Sequence, residues 1–128
     1  MTPGTAWTFA VVDDGEGTTT TVELTSSKRF SRIAKLFTDA VQVLRCSDLV
    51  TEEDIESQLG LTINQLQNDR DLAIVVSGLR TAVVQLDAAR SGKTLRNFIR
   101  AGSASIVDLY ANINNSLYAT DRSAASFE

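Results

Sequence analysis

The spacing of the apolar residues changes once along the chain, near residue 27, and this change constrains the fold more than any other feature. Before it, large and small side chains alternate over 7–11, and β-branched residues resume over 18–24. The segment 13–17 between these runs contains two glycines, which allow a tight loop. The pattern predicts a β-hairpin over residues 1–24.

The alternation also predicts how the hairpin is covered. One face is expected to collect five apolar side chains, and the other is largely threonine with Glu23. Because an isolated two-stranded ribbon is only marginally stable in water, the apolar face must lie on helices or gain strands from another copy of the chain. The predicted interface residues are Trp7, Phe9, Val11, Val22 and Leu24.

From Phe30 onward the apolar residues recur at the spacing of an α-helix. The first predicted helix runs from Phe30 to Leu44, with its apolar residues on one stripe and basic residues on its outer faces. Ser26 or Ser27 is the expected N-cap, because a serine hydroxyl accepts hydrogen bonds from the free N–H groups of a first turn.

Capping patterns divide the following region into shorter helices. Thr51 and Thr62 each precede an acid or amide by three residues, which predicts helices over about 52–59 and from Thr62 to Gly92. The second stretch is apolar over more than one face, so we expect it at the centre, as one long helix or as two. Thr94 is expected to cap a further helix. A last helix is expected to carry Ile106, Val107, Tyr110, Ile113 and Leu117.

These elements predict an α+β fold that is mostly α, with an N-terminal β-hairpin packed on a bundle of about four to five helices. Residues 1–118 are expected to form a single domain, made of the hairpin over 1–24 and a helical part over 28–118. Residues 119–128 lack periodicity and are expected to form a flexible C-terminal tail.

Composition argues against several classes of function. The chain has no histidine, so the side chain most used for acid–base catalysis and zinc ligation is missing. Cys46 is the only cysteine and cannot form an internal disulfide or a four-ligand metal site. We therefore expect no enzyme activity, no cofactor and no metal. The N-terminus has no signal-peptide pattern, and apolar runs such as 72–76 are short, so we expect no membrane contact and a cytoplasmic or virion location.

The formal charge of −4 is unevenly distributed, because acidic and basic blocks alternate along the chain. Residues 28–46 and 90–102 are basic, whereas residues 1–27 and 47–62 are acidic. Blocks of opposite sign suit a subunit whose acidic faces meet basic faces of another copy. Solvated helix faces are the simpler explanation of the same pattern.

The second basic block is the best candidate for binding a polyanion or a partner protein. Three alternatives are open for it: phosphates of RNA or DNA, acidic residues of another subunit, and plain contact with solvent. If the helix after Thr94 forms, its basic residues make one stripe. The candidate residues are Arg90, Lys93, Arg96 and Arg100.

The segment from Thr51 to Leu66 resembles the helix-turn-helix family of DNA-binding modules. Its apolar residues around Gly60 fit the packing of two short helices, and the resemblance implies that the second helix enters the major groove. The segment departs from the family at Glu56, where alanine is usual, and at Asp69, where an apolar residue is expected. Five acidic residues before the second helix would repel phosphates, which favours an ordinary helix–glycine–helix corner.

Two short stretches resemble viral coat proteins. Residues 9–17, Phe-Ala-Val-Val-Asp-Asp-Gly-Glu-Gly, look like the opening hairpin of single-stranded RNA bacteriophage coat proteins. Residues 121–128, Asp-Arg-Ser-Ala-Ala-Ser-Phe-Glu, look like a tract near the end of rod-shaped plant virus coat proteins. Neither stretch covers a domain, and the bacteriophage family continues with a broad sheet where this chain turns helical. The resemblances imply a subunit of virion type.

The function expected from the sequence is that of a non-enzymatic structural subunit that associates with copies of itself, as a viral coat or nucleocapsid-type protein does. The alternative is a helix-turn-helix-like regulator that binds nucleic acid. A large assembly free of nucleic acid favours the first, and an assembly that nuclease disperses favours the second.

Overall fold

The change in apolar spacing corresponds to a change from strands to helices in the computed structural model, which describes residues 7–26, 29–45 and 51–100. The predicted α+β, mostly α class is confirmed. The predicted last helix and tail lie outside the described residues. In chain order the elements are β1 (Phe9–Asp13), β2 (Thr19–Glu23), α1 (Phe30–Leu44), α2 (Asp54–Gln58), α3 (Ile63–Asn68), α4 (Arg70–Arg90) and α5 (Leu95–Ile99).

The hairpin forms as the sequence predicts. β1 and β2 pair antiparallel, with Phe9 opposite Glu23 and Asp13 opposite Thr19. Gly15 has a φ of +80°, a conformation that glycine adopts without steric cost. The Asp13 carboxylate accepts a hydrogen bond from the Gly15 N–H at 2.6 Å, which closes the loop between the strands.

Helix α1 spans the predicted apolar stripe and buries part of it, whereas Phe30 at its start is 59% exposed. Ile33 and Ala40 are buried, and further apolar residues of the helix pack against the same core. The predicted serine cap is wrong for Ser26, because Arg29 is the N-cap and makes no side-chain cap. The Ser26 hydroxyl instead donates to the Asp71 carboxylate at 3.2 Å, a partner that lies 45 residues further along the chain.

The stretch predicted as one long helix or two is two helices, α3 and α4. The predicted capping box at the start of α3 is confirmed, since Thr62 and Gln65 each bond the backbone of the other. Asp69 separates the helices, with φ −125° and ψ 94°. Its carboxylate accepts hydrogen bonds from the N–H groups of Asp71 and Leu72, so it caps α4.

Helix α4 is the centre of the fold, as its apolar residues predict. It packs against β2 and against every other helix in the described part of the chain. A helix that others cover on several sides must be apolar around most of its circumference. Its buried residues are Asp71, Val75, Val76, Gly78, Leu79, Ala82, Leu86 and Ala88.

The hairpin approaches the helix backbone closely at Gly78 of α4. A Cβ atom at this position would overlap the Leu24 side chain and would also contact Val22. Leu24 is only 2% exposed, so it has little room to move aside. Gly78 therefore lets the end of β2 lie directly on the α4 backbone.

We expect Gly78→Ala to destabilise the protein, although alanine is usually the better helix former. The gain in helix propensity is about 1 kcal/mol, whereas overpacking a tight core costs about 1–3 kcal/mol. Urea unfolding should show a net loss, with Ser77→Ala at the neighbouring exposed position giving a small gain. A Gly78→Ala variant more stable than the parent would show that Leu24 moves freely.

Candidate interaction surface

Three large apolar side chains are exposed to solvent along β1 and the residues just before it. Trp7, Phe9 and Val11 are 59%, 58% and 70% exposed. They are two residues apart, so they share one face of the strand. Across the ladder on that face, Glu23 lies opposite Phe9 and Thr21 lies opposite Val11. We call Trp7, Phe9 and Val11 the β1 strip.

The predicted grouping of five apolar residues on one hairpin face is wrong, because Val22 and Leu24 lie on the other face. Ala10 pairs with Val22, so even-numbered residues of β1 lie opposite even-numbered residues of β2 and share one face of the hairpin. The odd-numbered residues of both strands share the other face. Val22 and Leu24 are 3% and 2% exposed and belong to the core. The loop length sets this register, and the apolar spacing within either strand carries no information about it.

The backbone of β1 also has an outward edge. The Leu24 N–H donates to the Thr8 carbonyl at 2.7 Å. Hydrogen-bonded pairs alternate along an antiparallel ladder, so the even-numbered residues of β1 bond to β2. The N–H and C=O groups of Phe9 and Val11 therefore point away from β2, and no other described strand pairs with them.

The four predicted basic residues do not form one helical stripe. α5 is only five residues long, because Thr94 caps its start and Arg100 already has an extended backbone. All four side chains belong to exposed residues at one end of the molecule. Arg90 ends α4, Lys93 lies in the turn, Arg96 lies in α5, and Arg100 follows it.

Arg90 bonds within the chain, which reduces the charge that it offers to a partner. Its Nε donates to the Asp14 carboxylate at 3.0 Å, and its Nη1 lies 3.7 Å from the Asp87 carboxylate. Asp14 is in the hairpin loop, 76 residues away in sequence. The contact ties the loop to the end of α4.

The Asp14 side chain is 1% exposed, and both oxygens of its carboxylate accept hydrogen bonds. It accepts hydrogen bonds from the backbone N–H groups of Glu16 at 2.8 Å and Thr18 at 3.0 Å. These bonds and the guanidinium of Arg90 lower the pKa of Asp14 from 3.8 to about 2. A carboxylate held in this way stabilises the loop and is a poor general base.

A second carboxylate cluster lies at the opposite end of α4. Asp71 is 1% exposed, and its carboxylate accepts hydrogen bonds from Arg32 at 2.6 Å, Arg29 at 3.3 Å and Ser26. Arg32 also binds Asp69, and this hydrogen bond is the main reason why the pKa of Asp69 falls to about 2. Sequence analysis missed this cluster, because its members are distant in the chain and no local pattern marks them.

A groove of about 510 Å³ runs along α4 between α2 and α5. Its floor is apolar, with Leu66, Val76 and Leu95 among its residues, and the Arg80–Glu56 ion pair at 3.2 Å lies at its side. No group of three or more side chains able to hold a metal ion occurs within residues 7–26, 29–45 and 51–100. The groove therefore offers an apolar surface for contact, and the charged side chains of Arg80 and Glu56 at its side are paired with each other.

The segment that resembles a helix-turn-helix module folds as two short helices around a glycine. Gly60 has a φ of +64° between α2 and α3. Helix α3 carries no basic residue, and the Glu56 side chain of α2 pairs with Arg80. The corner therefore packs against α4 and presents a neutral polar helix to solvent.

Comparison of the chain with protein-family models, with curated proteins and with solved structures finds no match. By length and composition, helix α4 could cross a membrane, with a mean hydropathy of 1.5 over its most apolar window. The core helix of a soluble protein passes the same test, and eight residues of α4 are buried within the fold. The hydropathy of α4 is therefore weak support for a membrane segment.

We expect Asp14→Asn to lower stability at neutral pH and to have less effect in acid. Because folding lowers the pKa of Asp14, its contribution is complete above about pH 4 and is lost as the pH falls toward 2. Urea midpoints of the parent and the variant should therefore converge between pH 4 and pH 2. Glu16→Gln, at an exposed position of the same loop, is the control. An equal difference at pH 7 and pH 2 would contradict this role of the charge.

Proposed function

We propose that the protein is a non-enzymatic subunit that associates with copies of itself through the β1 strip. The observation that carries this proposal is the row of three large side chains, each more than half exposed, on the side of β1 opposite to the residues that pack against the core. Contiguous apolar patches that stay exposed in a folded domain are typical of interaction sites.

The size of the patch supports association with a protein surface. Exposed fractions of about 60–70% leave roughly 300–400 Å² of these three side chains in contact with water. At about 25 cal/mol per Å², covering that area contributes roughly 8–10 kcal/mol for each copy. Loss of motional freedom on association costs about 4–15 kcal/mol, so two copies that cover part of both strips and form hydrogen bonds between their strands offset it.

The form of assembly that we propose is a coat or nucleocapsid-type particle. Its support is the resemblance of residues 9–17 to the opening hairpin of bacteriophage coat proteins. Here these residues form β1 and most of the loop that follows it. The alternating charge blocks add to it, because complementary patches orient subunits as they meet.

The alternative, a helix-turn-helix-like regulator, has less support. Its second helix would have to approach phosphates, and α3 has a neutral surface made by Asn64, Gln67 and Asn68. The exposed residues Lys93 and Arg96 are the observation that keeps nucleic acid as the second candidate partner.

We expect Val11→Lys to weaken self-association by about 100-fold or more, because it replaces an apolar contact with a charge and because lysine on an edge strand opposes pairing with another strand. Light scattering coupled to size-exclusion chromatography, over a range of concentrations and with and without nuclease, measures it. Thr21→Lys is the matched control, since it places the same charge opposite Val11 on β2. Unchanged association of the Val11→Lys variant would remove the strip from the interface.

Replacing Lys93, Arg96 and Arg100 together by glutamine separates the two candidate partners. If the basic residues meet acidic residues of another copy, the variant should associate more weakly than the parent at low salt, and the difference should shrink at high salt, where the attraction in the parent is screened. This is the outcome that we expect. A salt slope of nucleic-acid affinity that shrinks by roughly 2–3 would instead favour the regulator. Arg70→Gln, at the exposed far end of α4, is the control.

A further inference from the structure

We propose that two copies of the chain join β1 to β1 in antiparallel orientation about a twofold axis at Phe9, which makes a continuous four-stranded sheet. This inference rests on the proposed function and adds to it the partner's strand, direction and register. It depends on three features of β1: the direction of its backbone groups, the position of its apolar side chains and the distribution of charge around it.

The backbone groups of β1 are arranged to accept another strand. Thr8 and Asp14 mark the two ends of the ladder with β2, through hydrogen bonds of 2.7 Å to Leu24 and 3.1 Å to Thr18. Between them the alternation leaves the N–H and C=O groups of Phe9 and Val11 on the outer edge. A strand added at this edge would bond to them in the same geometry as β2 bonds to the inner edge.

The apolar side chains select the register. The β1 strip is symmetric about its middle residue, so a twofold axis at Phe9 places Phe9 opposite its own copy. Trp7 then lies opposite Val11 of the other copy, and Val11 opposite Trp7. Shifting the strands by two residues would instead set an apolar side chain against Asp13 or leave one uncovered. A twofold contact uses the same patch on both chains, as this arrangement does.

The charges favour a second copy over a nucleic acid as the occupant of this edge. Residues 7–12 carry no charge, so two chains with a formal charge of −4 each can approach here without close repulsion. The nearest charged residues of the hairpin are Asp13 and Glu23, both acidic, which disfavour phosphates. Natural sheet edges are usually protected by lysine, proline or a bulge, and β1 has none of these.

Cysteine cross-linking tests the register directly. In a Cys46→Ser background, Phe9→Cys should form a disulfide-linked dimer, because paired residues in such a ladder have Cα atoms about 5.5 Å apart, inside the range for a disulfide. Trp7→Cys and Val11→Cys should each fail to link alone, since their own copies lie about 13 Å apart along the strands. Mixing these two variants should restore the cross-link.

Thr21→Cys is the matched control on the same face of β2. In the four-stranded sheet it would lie about 14 Å across the sheet, which is three strand spacings, and about 13 Å along the strands from its own copy, so it should not link. Linkage at Thr21 as strong as at Phe9 would mean that hairpins stack face to face, and would overturn the edge-to-edge arrangement. Association seen by light scattering without linkage at Phe9 would overturn this inference alone. Absence of any association would overturn the proposed function as well.

Amide hydrogen exchange of the unmodified protein gives an independent measurement. The N–H groups of Phe9 and Val11 should exchange several-fold more slowly at concentrations where the protein associates than on dilution. The N–H groups of Thr21 and Glu23 point to the other side of the hairpin by the same alternation and should show no such change. Equal protection on both strands, or none on β1 in an associated sample, would contradict the proposed sheet.

Discussion

The contact between the end of β2 and the backbone of α4 is the constraint on which the rest of the structure depends. A two-stranded ribbon has too little buried surface to be stable by itself, so it must be held by another element. Leu24 provides this contact by lying against Gly78, where any side chain on the helix would keep the strand away. The same approach brings Val22 into the core beside Val75 and Leu79.

Polar contacts at both ends of α4 determine which strand of the hairpin faces outward. Asp14 of the loop binds Arg90 at the helix C-terminus, and Ser26, just after β2, binds Asp71 near its N-terminus. Between these points the Thr20 hydroxyl donates to Gln85. β2 is thus fixed along the length of α4, and the outer edge of β1 is directed away from it.

Elements defined by local patterns can be predicted from the sequence. Features that depend on residues far apart in the chain cannot be predicted in this way. The bounds of α1 and the capping box at Thr62 follow from residues within one or two helical turns. The face occupied by Val22 depends on the loop length, and the role of Gly78 depends on a leucine 54 positions earlier in the chain. The interface prediction therefore keeps Trp7, Phe9 and Val11 as a proposal and loses Val22 and Leu24 to the core.

The contrast between the two hairpin faces is itself an argument for a partner. On the inner face, Ala10 and Val12 pack against the core although they are smaller than Trp7 and Phe9 on the outer face. If the hairpin served only to cover the helices, the largest apolar side chains would contribute most by lying inward, because hydrophobic stabilisation grows with the area removed from water. Instead the tryptophan and phenylalanine face solvent, beside backbone groups that no other strand in the described part of the chain pairs with and that can extend the sheet. Both features favour addition of another β-strand over any partner that offers only charge.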